Sequence, residues 1–358
     1  MDKKIVFTGG GTAGHVTPNI ALFPKLKAMG YEIFYMGSYD GIEKKLIEDF
    51  DIPYYGIATG KFRRYFDPKN FSDPFRVLKG VTEARKYLKQ IQPDIVFSKG
   101  GFVSVPVVRA AASLKIPCIV HESDMTPGLA NKLCIPVAQK VCCNFPETFK
   151  LLPAGKAVLT GSPIREELLK GQKEAAYELC GFDASKPVIM VIGGSQGSAA
   201  INQAVRDALP DLLEDFQIVH LCGKEKMDNL LLTTKGYKQF EYIKSELKDI
   251  FAMADIVISR AGANAINELL ALKKPNLLIP LPSGSSRGDQ ILNAKSFEAQ
   301  GFSIVVDEDD LTKKLLVEKV QELYFTRNTY IDAMSKSSQR DAIGTISAMI
   351  EDIVTKKK

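Results

Sequence analysis

The stretch Lys4-Ile5-Val6-Phe7-Thr8-Gly9-Gly10-Gly11-Thr12-Ala13-Gly14-His15 decides the fold of the first half of the chain. Its first five residues are mostly apolar or β-branched and predict a strand. The glycines that follow have the G-x-G-x-x-G spacing of a tight turn between a strand and a helix. This pattern predicts the opening βα unit of a doubly wound α/β domain.

The same alternation of apolar runs and amphipathic stretches continues along the chain. The predicted strands are Lys4 to Thr8, Tyr31 to Met36, Asp94 to Ser98, Cys118 to His121 and Lys140 to Asn144, then Val188 to Ile192, Gln217 to Leu221, Phe240 to Ile243, Asp255 to Ser259, Asn276 to Ile279 and Phe302 to Val306. The second series also opens on a Gly-rich turn, Gly193 to Ser198. We therefore expect two doubly wound Rossmann-like domains, 1–162 and 163–340, that face a cleft. The spacing of the isoleucines in 341–358 predicts a last helix that packs back on the first domain.

The composition is that of a folded enzyme in a reducing compartment. The chain has 358 residues, of which 45% are hydrophobic and 25% charged, which is enough for two cores. It shows no secretion signal and no apolar run near the roughly 18 residues that cross a bilayer. The six cysteines lack C-x-x-C spacing, and the net charge of +5 is modest for a nucleic-acid binder. We expect a cytoplasmic protein without structural zinc or nucleic acid.

His15 distinguishes the first Gly-rich turn from an ordinary dinucleotide site. Such a site places an acid about 20 residues beyond the turn, and the nearest candidate, Asp40, comes late. An imidazole at the mouth of the turn suits proton transfer, because its ordinary pKa lies close to neutrality. We favour His15 as a base over an exposed or capping side chain.

The second Gly-rich turn has the composition of a diphosphate site. Its backbone N–H groups and the Ser195 hydroxyl lie at a predicted helix start, where unpaired amides and the helix dipole attract anions. Arg165, near the expected hinge between the domains, could grip phosphate oxygens or form a surface salt bridge. Spacing alone leaves both interpretations of Arg165 open.

Polar side chains also follow two later predicted strands. Glu268 lies in a predicted helix after Ser259, where a carboxylate can accept both ribose hydroxyls. Asp289 and Gln290 begin another helix after the loop from Pro282 to Ser286. Because open α/β sheets bind ligands at the carboxyl ends of their strands, these residues extend the predicted site.

The acidic run Asp307-Glu308-Asp309-Asp310 contains a formal D-x-D pattern. It precedes a predicted helix, Leu311 to Tyr324, and acidic residues are typical of helix N-termini. We interpret the run as helix capping and expect no metal site.

One segment of the first domain mixes aromatic rings with cations. The residues predicted to contact a membrane are Phe62, Arg63, Arg64, Phe66, Phe75, Arg76 and Lys79. Such a segment can place its rings in the interface while its cations meet anionic headgroups. The alternative is a partly buried loop and helix with ordinary surface charge; we favour membrane contact.

Four motifs, in order along the chain, carry a resemblance to a known family. They are Gly9 to His15, His121-Glu122-Ser123-Asp124, Gly193 to Gly197, and Ser259-Arg260-Ala261-Gly262-Ala263. Together they resemble the MurG family, the lipid I N-acetylglucosaminyltransferases of bacterial peptidoglycan synthesis. The resemblance spans nearly the whole chain and implies a GT-B glycosyltransferase fold, UDP-N-acetylglucosamine as donor and lipid I, the undecaprenyl-diphosphate-linked muramyl pentapeptide, as acceptor. It implies inverting transfer to the muramyl C4 hydroxyl, giving lipid II, with no cofactor required.

The resemblance also implies roles for individual residues. His15 would be the catalytic base, with Glu122 as a second catalytic residue. The implied donor-binding residues are Thr12, Ala13, Gly14, Asp124, Arg165, Gly194, Ser195, Gln196, Ile243, Ala263, Asn264, Glu268 and Gln290. Among these, Arg165 and Ser195 would contact the diphosphate, Ile243 the uracil, Glu268 the ribose and Gln290 the sugar.

This chain departs from the family pattern at two positions. Asp124 stands where many relatives carry Asn, so its contact with the donor sugar stays open. Tyr242 stands where relatives can have Phe, which preserves a ring beside Ile243.

The resemblance further implies a peripheral enzyme on the cytoplasmic face of the bacterial membrane. Its partners would be the two substrates, an anionic membrane surface and other proteins of cell-wall synthesis. A polyprenyl acceptor requires membrane contact, which supports that interpretation of the aromatic and cationic segment.

Three rival functions share parts of this pattern. A nicotinamide-dependent oxidoreductase would explain the first turn but would leave His15 and the second turn without roles. A UDP-N-acetylglucosamine 2-epimerase or a non-catalytic nucleotide-sugar binder would have a similar architecture. Thermal stabilisation by NAD rather than UDP, and transfer of labelled donor sugar, separate these hypotheses.

Overall fold

The computed structural model describes residues 3–60, 69–194, 196–284 and 288–357, with only the backbone for 69–74 and 357. The chain divides into two compact units, unit 1 (Met1–Arg165 and Asp341–Lys358) and unit 2 (Glu166–Arg340). Each unit is built on a parallel sheet, and the predicted fold class, two doubly wound Rossmann-like domains, is confirmed. The division follows Arg165 rather than Ser162, so Arg165 ends the first of the two segments of unit 1.

Unit 1 begins with seven strands in its described residues. These are β1 (Lys3–Thr8), β2 (Tyr31–Ser38), β3 (Tyr54–Ile57), β4 (Ile95–Ser98), β5 (Cys118–Glu122), β6 (Lys140–Cys143) and β7 (Ala157–Leu159). The helices between them are α1 (Thr17–Ala28), α2 (Ile42–Ile47), α3 (Lys69–Ile91), α4 (Ser104–Ser113), α5 (Leu129–Cys134) and α6 (Pro146–Leu151). The strand order β3-β2-β1-β4-β5-β6-β7 reverses between β1 and β4. A doubly wound sheet binds ligands at the carboxyl ends of the strands beside this reversal.

Unit 2 repeats the arrangement in its described residues with six parallel strands. These are β8 (Val188–Ile192), β9 (Gln217–Leu221), β10 (Tyr237–Phe240), β11 (Ile256–Ser259), β12 (Asn276–Leu278) and β13 (Ser303–Val305). Its helices are α7 (Lys173–Cys180), α8 (Ala199–Asp215), α9 (Leu247–Met253), α10 (Ala263–Leu272), α11 (Asp289–Ala299), α12 (Lys313–Phe325) and α13 (Arg327–Lys336). The order β10-β9-β8-β11-β12-β13 reverses between β8 and β11.

Alternation along the strands produces an apolar layer on each face of the first sheet. Ile5 and Phe7 pack with α1, whereas Val6 between them joins the layer under α3 and α4. Successive side chains of a strand point to opposite faces, so a strand buried on both sides reads as a continuous apolar run. This is why the central strands were visible in the sequence.

The last helix, α14 (Ala342–Lys357), belongs to unit 1. Its buried residues Ile346, Ile350 and Ile353 join the apolar layer of α1. Glu351 on its polar side accepts a hydrogen bond from Lys3 Nζ at 2.6 Å. The C-terminal segment therefore completes the first unit although it follows the second in sequence.

Three strands differ from the prediction. β10 spans Tyr237–Phe240, so the predicted strand Phe240 to Ile243 is wrong by three residues. The polar residue Gln239 is buried there and accepts from the Asp228 N–H at 3.0 Å, so the strand lacks an apolar run. The edge strands β3 and β7 were missed, because each is short and only partly buried.

Candidate active site

The first Gly-rich turn folds tightly enough to bring His15 to the carboxyl edge of unit 1. β1 ends at Thr8, and Ala13–His15 form a single 3-10 turn before α1. Gly9 has φ +154°, and a Cβ there would lie 2.5 Å from the His15 carbonyl oxygen. No side chain caps α1, so His15 is not a helix cap. Glycine at position 9 is therefore required by close packing under the His15 backbone.

A buried carboxylate, Glu43, supports this turn from behind. Its Oε2 accepts the Gly11 N–H at 3.1 Å, and its Oε1 accepts the Ser38 N–H at 2.9 Å and the Ser38 hydroxyl. A Cβ on Gly10 would lie 2.5 Å from its carboxyl carbon. The Gly11 amide is thus engaged by a carboxylate, so it is not available to a phosphate.

Glu43 received no role from the sequence. Asp40, the candidate for a ribose-binding acid, is exposed, and Glu43 is the acid that contacts the turn itself. Glu43 lies one residue into α2, where a charged residue near a helix start usually faces solvent. Only the small residues Gly37 and Gly41 around it indicated that space had been left for its side chain.

His15 is half-buried, and its surroundings disfavour protonation of the imidazole ring. Burial, and then the positive charge of Lys99, lower the pKa of its imidazole to about 4, against the opposing effect of a hydrogen bond with the Lys99 backbone. Its Nδ1 is shielded from solvent and has no hydrogen-bond partner in the described part of the chain. The ring is therefore neutral at physiological pH, the form required of a proton acceptor.

A buried polar cluster lies beside His15 at the ends of β4 and β5. Lys99 Nζ lies 2.9 Å from His121 Nδ1 and also donates to Ser123 Oγ. His121 Nε2 lies 2.9 Å from the Gly161 carbonyl, so this nitrogen carries the hydrogen and Nδ1 accepts from Lys99. Sequence reasoning gave Lys99 no role, because a lysine before two glycines usually indicates an exposed turn.

Glu122, the second predicted catalytic residue, uses its carboxylate to shape a loop. It accepts hydrogen bonds from the Asp124 N–H at 2.9 Å, the Gly128 N–H at 3.0 Å and Asn131 Nδ2 at 2.8 Å. Burial raises its pKa, and these donors oppose the rise. Asp124 itself is exposed. The contacts of Glu122 are those of a residue that fixes the 124–131 segment.

The second Gly-rich turn is open where the first is filled. Gly194 is exposed, with φ +91°, and a Cβ there would meet nothing within 4 Å. Gly197, in contrast, packs on Cys222, whose carbonyl oxygen would lie 1.8 Å from a Cβ. Ser198 then caps α8 by accepting the Ile201 N–H at 3.3 Å. The turn thus presents an accessible backbone at a helix start, the usual setting for phosphate.

A buried guanidinium, Arg260, supports this second turn. Its Nη2 donates to Ser198 Oγ at 2.6 Å, its Nη1 to the Ile279 carbonyl at 3.0 Å, and it forms an ion pair with Glu308. The acidic run was therefore misinterpreted as a helix cap. Thr312 caps α12, whereas Glu308 pairs with Arg260. Arg260 was quoted in a motif but received no role from the sequence.

The remaining donor-binding candidates of unit 2 follow neighbouring strands. Ala263, Asn264 and Glu268 lie on α10 after β11, and Gln290 lies on α11 after β12. Gln290 Oε1 accepts the Leu281 N–H at 3.2 Å. These residues share the carboxyl edge of the sheet with Gly194 and the exposed Gln196. Ile243 is buried just beyond β10, and Ser195 lies outside the described residues.

The candidates in unit 1 lie at the corresponding edge of its sheet. Thr12 and Ala13 are exposed and Gly14 is partly exposed, all beyond the amide that Glu43 engages. Arg165 is partly exposed at the end of the first segment of the unit. These placements leave the first-turn residues accessible to a ligand.

Part of the predicted membrane segment can be placed. Phe62, Arg63, Arg64 and Phe66 lie outside the described residues, whereas Phe75, Arg76 and Lys79 are exposed on α3. Phe75 is 74% exposed and Leu78, one helical turn away, 64%. Among helices in the described part of the chain, none has the length and apolar character needed to cross a bilayer. Nor do three His, Cys, Asp or Glu residues converge on a possible metal position within those residues.

Comparison with known proteins identifies relatives of the whole chain. Residues 5–143 match the glycosyltransferase family 28 N-terminal domain and residues 188–346 its C-terminal domain. A curated relative from Lachnospira eligens is 65% identical over 98% of this chain and 99% of its own length. It is named UDP-N-acetylglucosamine--N-acetylmuramyl-(pentapeptide) pyrophosphoryl-undecaprenol N-acetylglucosamine transferase.

Solved structures agree with this relationship. The Acinetobacter baumannii MurG structure has a TM-score of 0.76 and 28% identity, and the match covers 98% of this chain and 99% of that one. A UDP-GlcNAc 2-epimerase from Neisseria meningitidis, solved with UDP-GlcNAc, has a TM-score of 0.68 but 14% identity over 99% of this chain and 100% of its own, so it shares the fold alone. The two matched domains and the near-complete, highly identical relatives show that this chain belongs to glycosyltransferase family 28 and, within it, to the MurG family.

Proposed function

We propose that this chain transfers N-acetylglucosamine from UDP-N-acetylglucosamine to the C4 hydroxyl of the muramyl sugar of lipid I. The product is lipid II for peptidoglycan synthesis, formed with inversion at the anomeric carbon. The name of the relative from Lachnospira eligens supports the substrates. The observation that carries the chemistry is His15, a neutral imidazole at the carboxyl edge of unit 1.

His15 acts as the base in a single displacement. The acceptor oxygen forms a bond to the anomeric carbon as the sugar–phosphate bond breaks on the opposite face. The proton of the acceptor hydroxyl passes to His15, and the electrons of the broken bond pass to UDP. No covalent sugar–enzyme intermediate is needed, and the chain requires no cofactor for these steps.

The second Gly-rich turn stabilises the negative charge that UDP gains as the sugar–phosphate bond breaks. The open backbone at Gly194 and the start of α8 suit a diphosphate, and Arg260 holds Ser198 from below. Ser195, Gln196 and Arg165 complete the proposed diphosphate contacts. Ile243 packs on uracil, Glu268 binds the ribose, and Gln290, Ala263 and Asn264 lie along the donor.

In unit 1, we assign the acceptor side of the reaction. Thr12, Ala13 and Gly14 line the position of the reacting sugar beside His15, and Asp124 is a candidate for contact with it. Glu122 contributes by fixing the 124–131 segment through its three hydrogen bonds.

The acceptor implies peripheral attachment to the cytoplasmic face of the membrane. Phe75 and Leu78 expose apolar surface on one face of α3 next to Arg76 and Lys79. Rings and cations in this arrangement suit an anionic lipid surface. Sedimentation with anionic vesicles tests this contact. The double variant Phe75→Ser with Leu78→Ser should bind the vesicles more weakly. Equal binding of the variant and the unsubstituted chain would show that this face of α3 does not contact the membrane.

Transfer of labelled N-acetylglucosamine to a lipid I analogue tests the whole proposal. We expect a labelled disaccharide lipid that forms only when both substrates are present. Release of the 2-epimer without any lipid product would instead indicate an epimerase. UDP binding without either product would indicate a nucleotide-sugar binder.

A further inference from the structure

The loop after β9, residues 222–228, packs directly against the second Gly-rich turn. Gly197 of the turn lies on the Cys222 carbonyl, and a Cβ on Gly223 would collide with the Gln196 carbonyl oxygen. Each of these glycines is therefore required by the close approach of the two segments. The loop is thus part of the support of the turn, although the sequence gave it no role.

Lys226 extends its half-buried side chain from this loop to the turn. Its Nζ donates to the Gln196 carbonyl at 2.8 Å and to the Gly197 carbonyl at 3.3 Å. The Gly197 N–H donates back to the Gly194 carbonyl at 3.0 Å, which closes the turn. Because the C=O and N–H groups of a trans peptide point in opposite directions, the Ser198 N–H at the start of α8 points away from Lys226. The ammonium therefore lies on the carbonyl side of the turn.

The backbone of Lys226 is itself fixed to neighbouring elements. Arg206 Nη2, on α8, donates to the Lys226 carbonyl at 2.6 Å and to Gln239 Oε1, on β10, at 3.1 Å. Gln239 Nε2 in turn donates to the Asp228 carbonyl at 2.9 Å. The side chain of Lys226 therefore reaches the turn from a backbone that is held at both α8 and β10.

Two cations support the second Gly-rich turn through different groups. Arg260 donates to the Ser198 hydroxyl at 2.6 Å, whereas Lys226 binds backbone carbonyls. Carbonyl oxygens carry partial negative charge, and an ammonium bonded to them offsets the repulsion that they would exert on a diphosphate. Lys224, on the same loop, instead pairs with Glu225 at 3.7 Å and is 84% exposed.

We propose that Lys226 is a positioning residue for the diphosphate of the donor. It holds the carbonyls of the second Gly-rich turn on the side away from the ligand, so that the amides at the start of α8 can bind phosphate oxygens. The identity of the ligand rests on the proposed function, which this inference extends to a residue outside the predicted site.

Calorimetry with UDP measures the contribution of Lys226. Lys226→Met keeps the apolar stem of the side chain but removes its ammonium. We expect UDP affinity to fall by about 5- to 10-fold, because the Gln196 and Gly197 carbonyls lose a charged donor. Uridine affinity, measured by ligand-observed NMR, should stay unchanged, because uridine carries no phosphate.

Lys224→Met is the matched control. It removes the same charge two residues away, from a side chain that is 84% exposed. UDP affinity should stay unchanged in this variant, since solvent and salt screen an exposed charge. If Lys226→Met does not fold, Lys226→Gln removes the charge with a polar side chain and allows the same comparison.

Unchanged UDP affinity in a folded Lys226 variant would overturn the inference. An equal loss for UDP and uridine would also overturn it, because it would indicate a general disturbance of unit 2. The same is true of an equal loss in Lys224→Met, which would indicate an effect of charge alone. Failure of the proposed function is distinguishable: the chain would then bind UDP in a way that depends on Lys226 but would transfer no sugar to lipid I.

Discussion

The two Gly-rich turns share a sequence signature but differ in what lies behind and in front of them. Behind the first is the buried carboxylate of Glu43, which engages the Gly11 amide, and beside it is the neutral ring of His15. Behind the second is the guanidinium of Arg260, and Gly194 opens to free space. A carboxylate disfavours an anion and a cation favours one, so the same backbone geometry suits proton transfer in one unit and diphosphate binding in the other.

The largest effect should come from removing the base of the first turn. His15→Gln should lower kcat for sugar transfer by about 100-fold or more, because the acceptor hydroxyl loses its proton acceptor. UDP affinity, measured by calorimetry, should change less than about twofold, since glutamine preserves polarity at a residue outside the second turn. Near-normal kcat would show that the first turn has no catalytic base.

Glu43→Gln tests whether Glu43 positions the first turn for catalysis without contributing to UDP binding. An amide nitrogen would face one of the N–H groups of Gly11 or Ser38, leaving a buried donor unpaired at a cost of about 1 to 3 kcal/mol. We expect kcat to fall by about 10-fold or somewhat more through displacement of His15, with UDP affinity unchanged. Glu48→Gln, an exposed residue next to the same helix, is the control and should keep full activity. Loss of UDP affinity in Glu43→Gln would contradict the division of roles.

Arg260→Met should weaken the second turn. Ser198 would lose its donor and Glu308 its cation, so we expect UDP affinity to fall by about 10-fold. Glu308→Gln keeps an acceptor for the guanidinium and should have a smaller effect. The measurement is UDP calorimetry on variants whose circular dichroism spectra are native. Unchanged UDP affinity in Arg260→Met would show that Arg260 does not contribute to diphosphate binding.

The folded chain should also lose stability as the pH falls. The rings of His121 and His220 are fully buried, and burial lowers their pKa values, that of His220 to about 3. Below the ordinary histidine pKa of 6.5, the unfolded chain therefore binds more protons than the native chain. Stability is therefore expected to fall with pH below about 6.5, by up to about 1.4 kcal/mol per pH unit for each ring. The raised pKa of Glu122 acts in the opposite direction at lower pH.

Urea unfolding at pH 7.5, 6.5 and 5.5 measures this slope. His220 donates to Asn202, one helical turn beyond Ser198, and accepts from Tyr237. His220→Gln should reduce the slope by about one proton. A flat stability profile would mean that these rings are protonated in the native chain.

The sequence predicted the features that depend on local pattern. The central strands read as apolar runs, and the two turns were recognised from their glycines. β10 was misplaced because Gln239 is a buried polar residue, and the acidic run was misread because Glu308 pairs with an arginine far away in sequence. Glu43 and Lys99 were missed for the same reason: long-range burial, which no local pattern reports, makes them important.

Amide hydrogen exchange in the presence of UDP tests the difference between the two turns most directly. We expect UDP to slow exchange in peptides that contain residues 193–198 and to change peptides that contain residues 9–14 only slightly, because the Gly11 amide is already bound to Glu43. Protection at 9–14 with none at 193–198 would contradict the assignment of the diphosphate to the second turn.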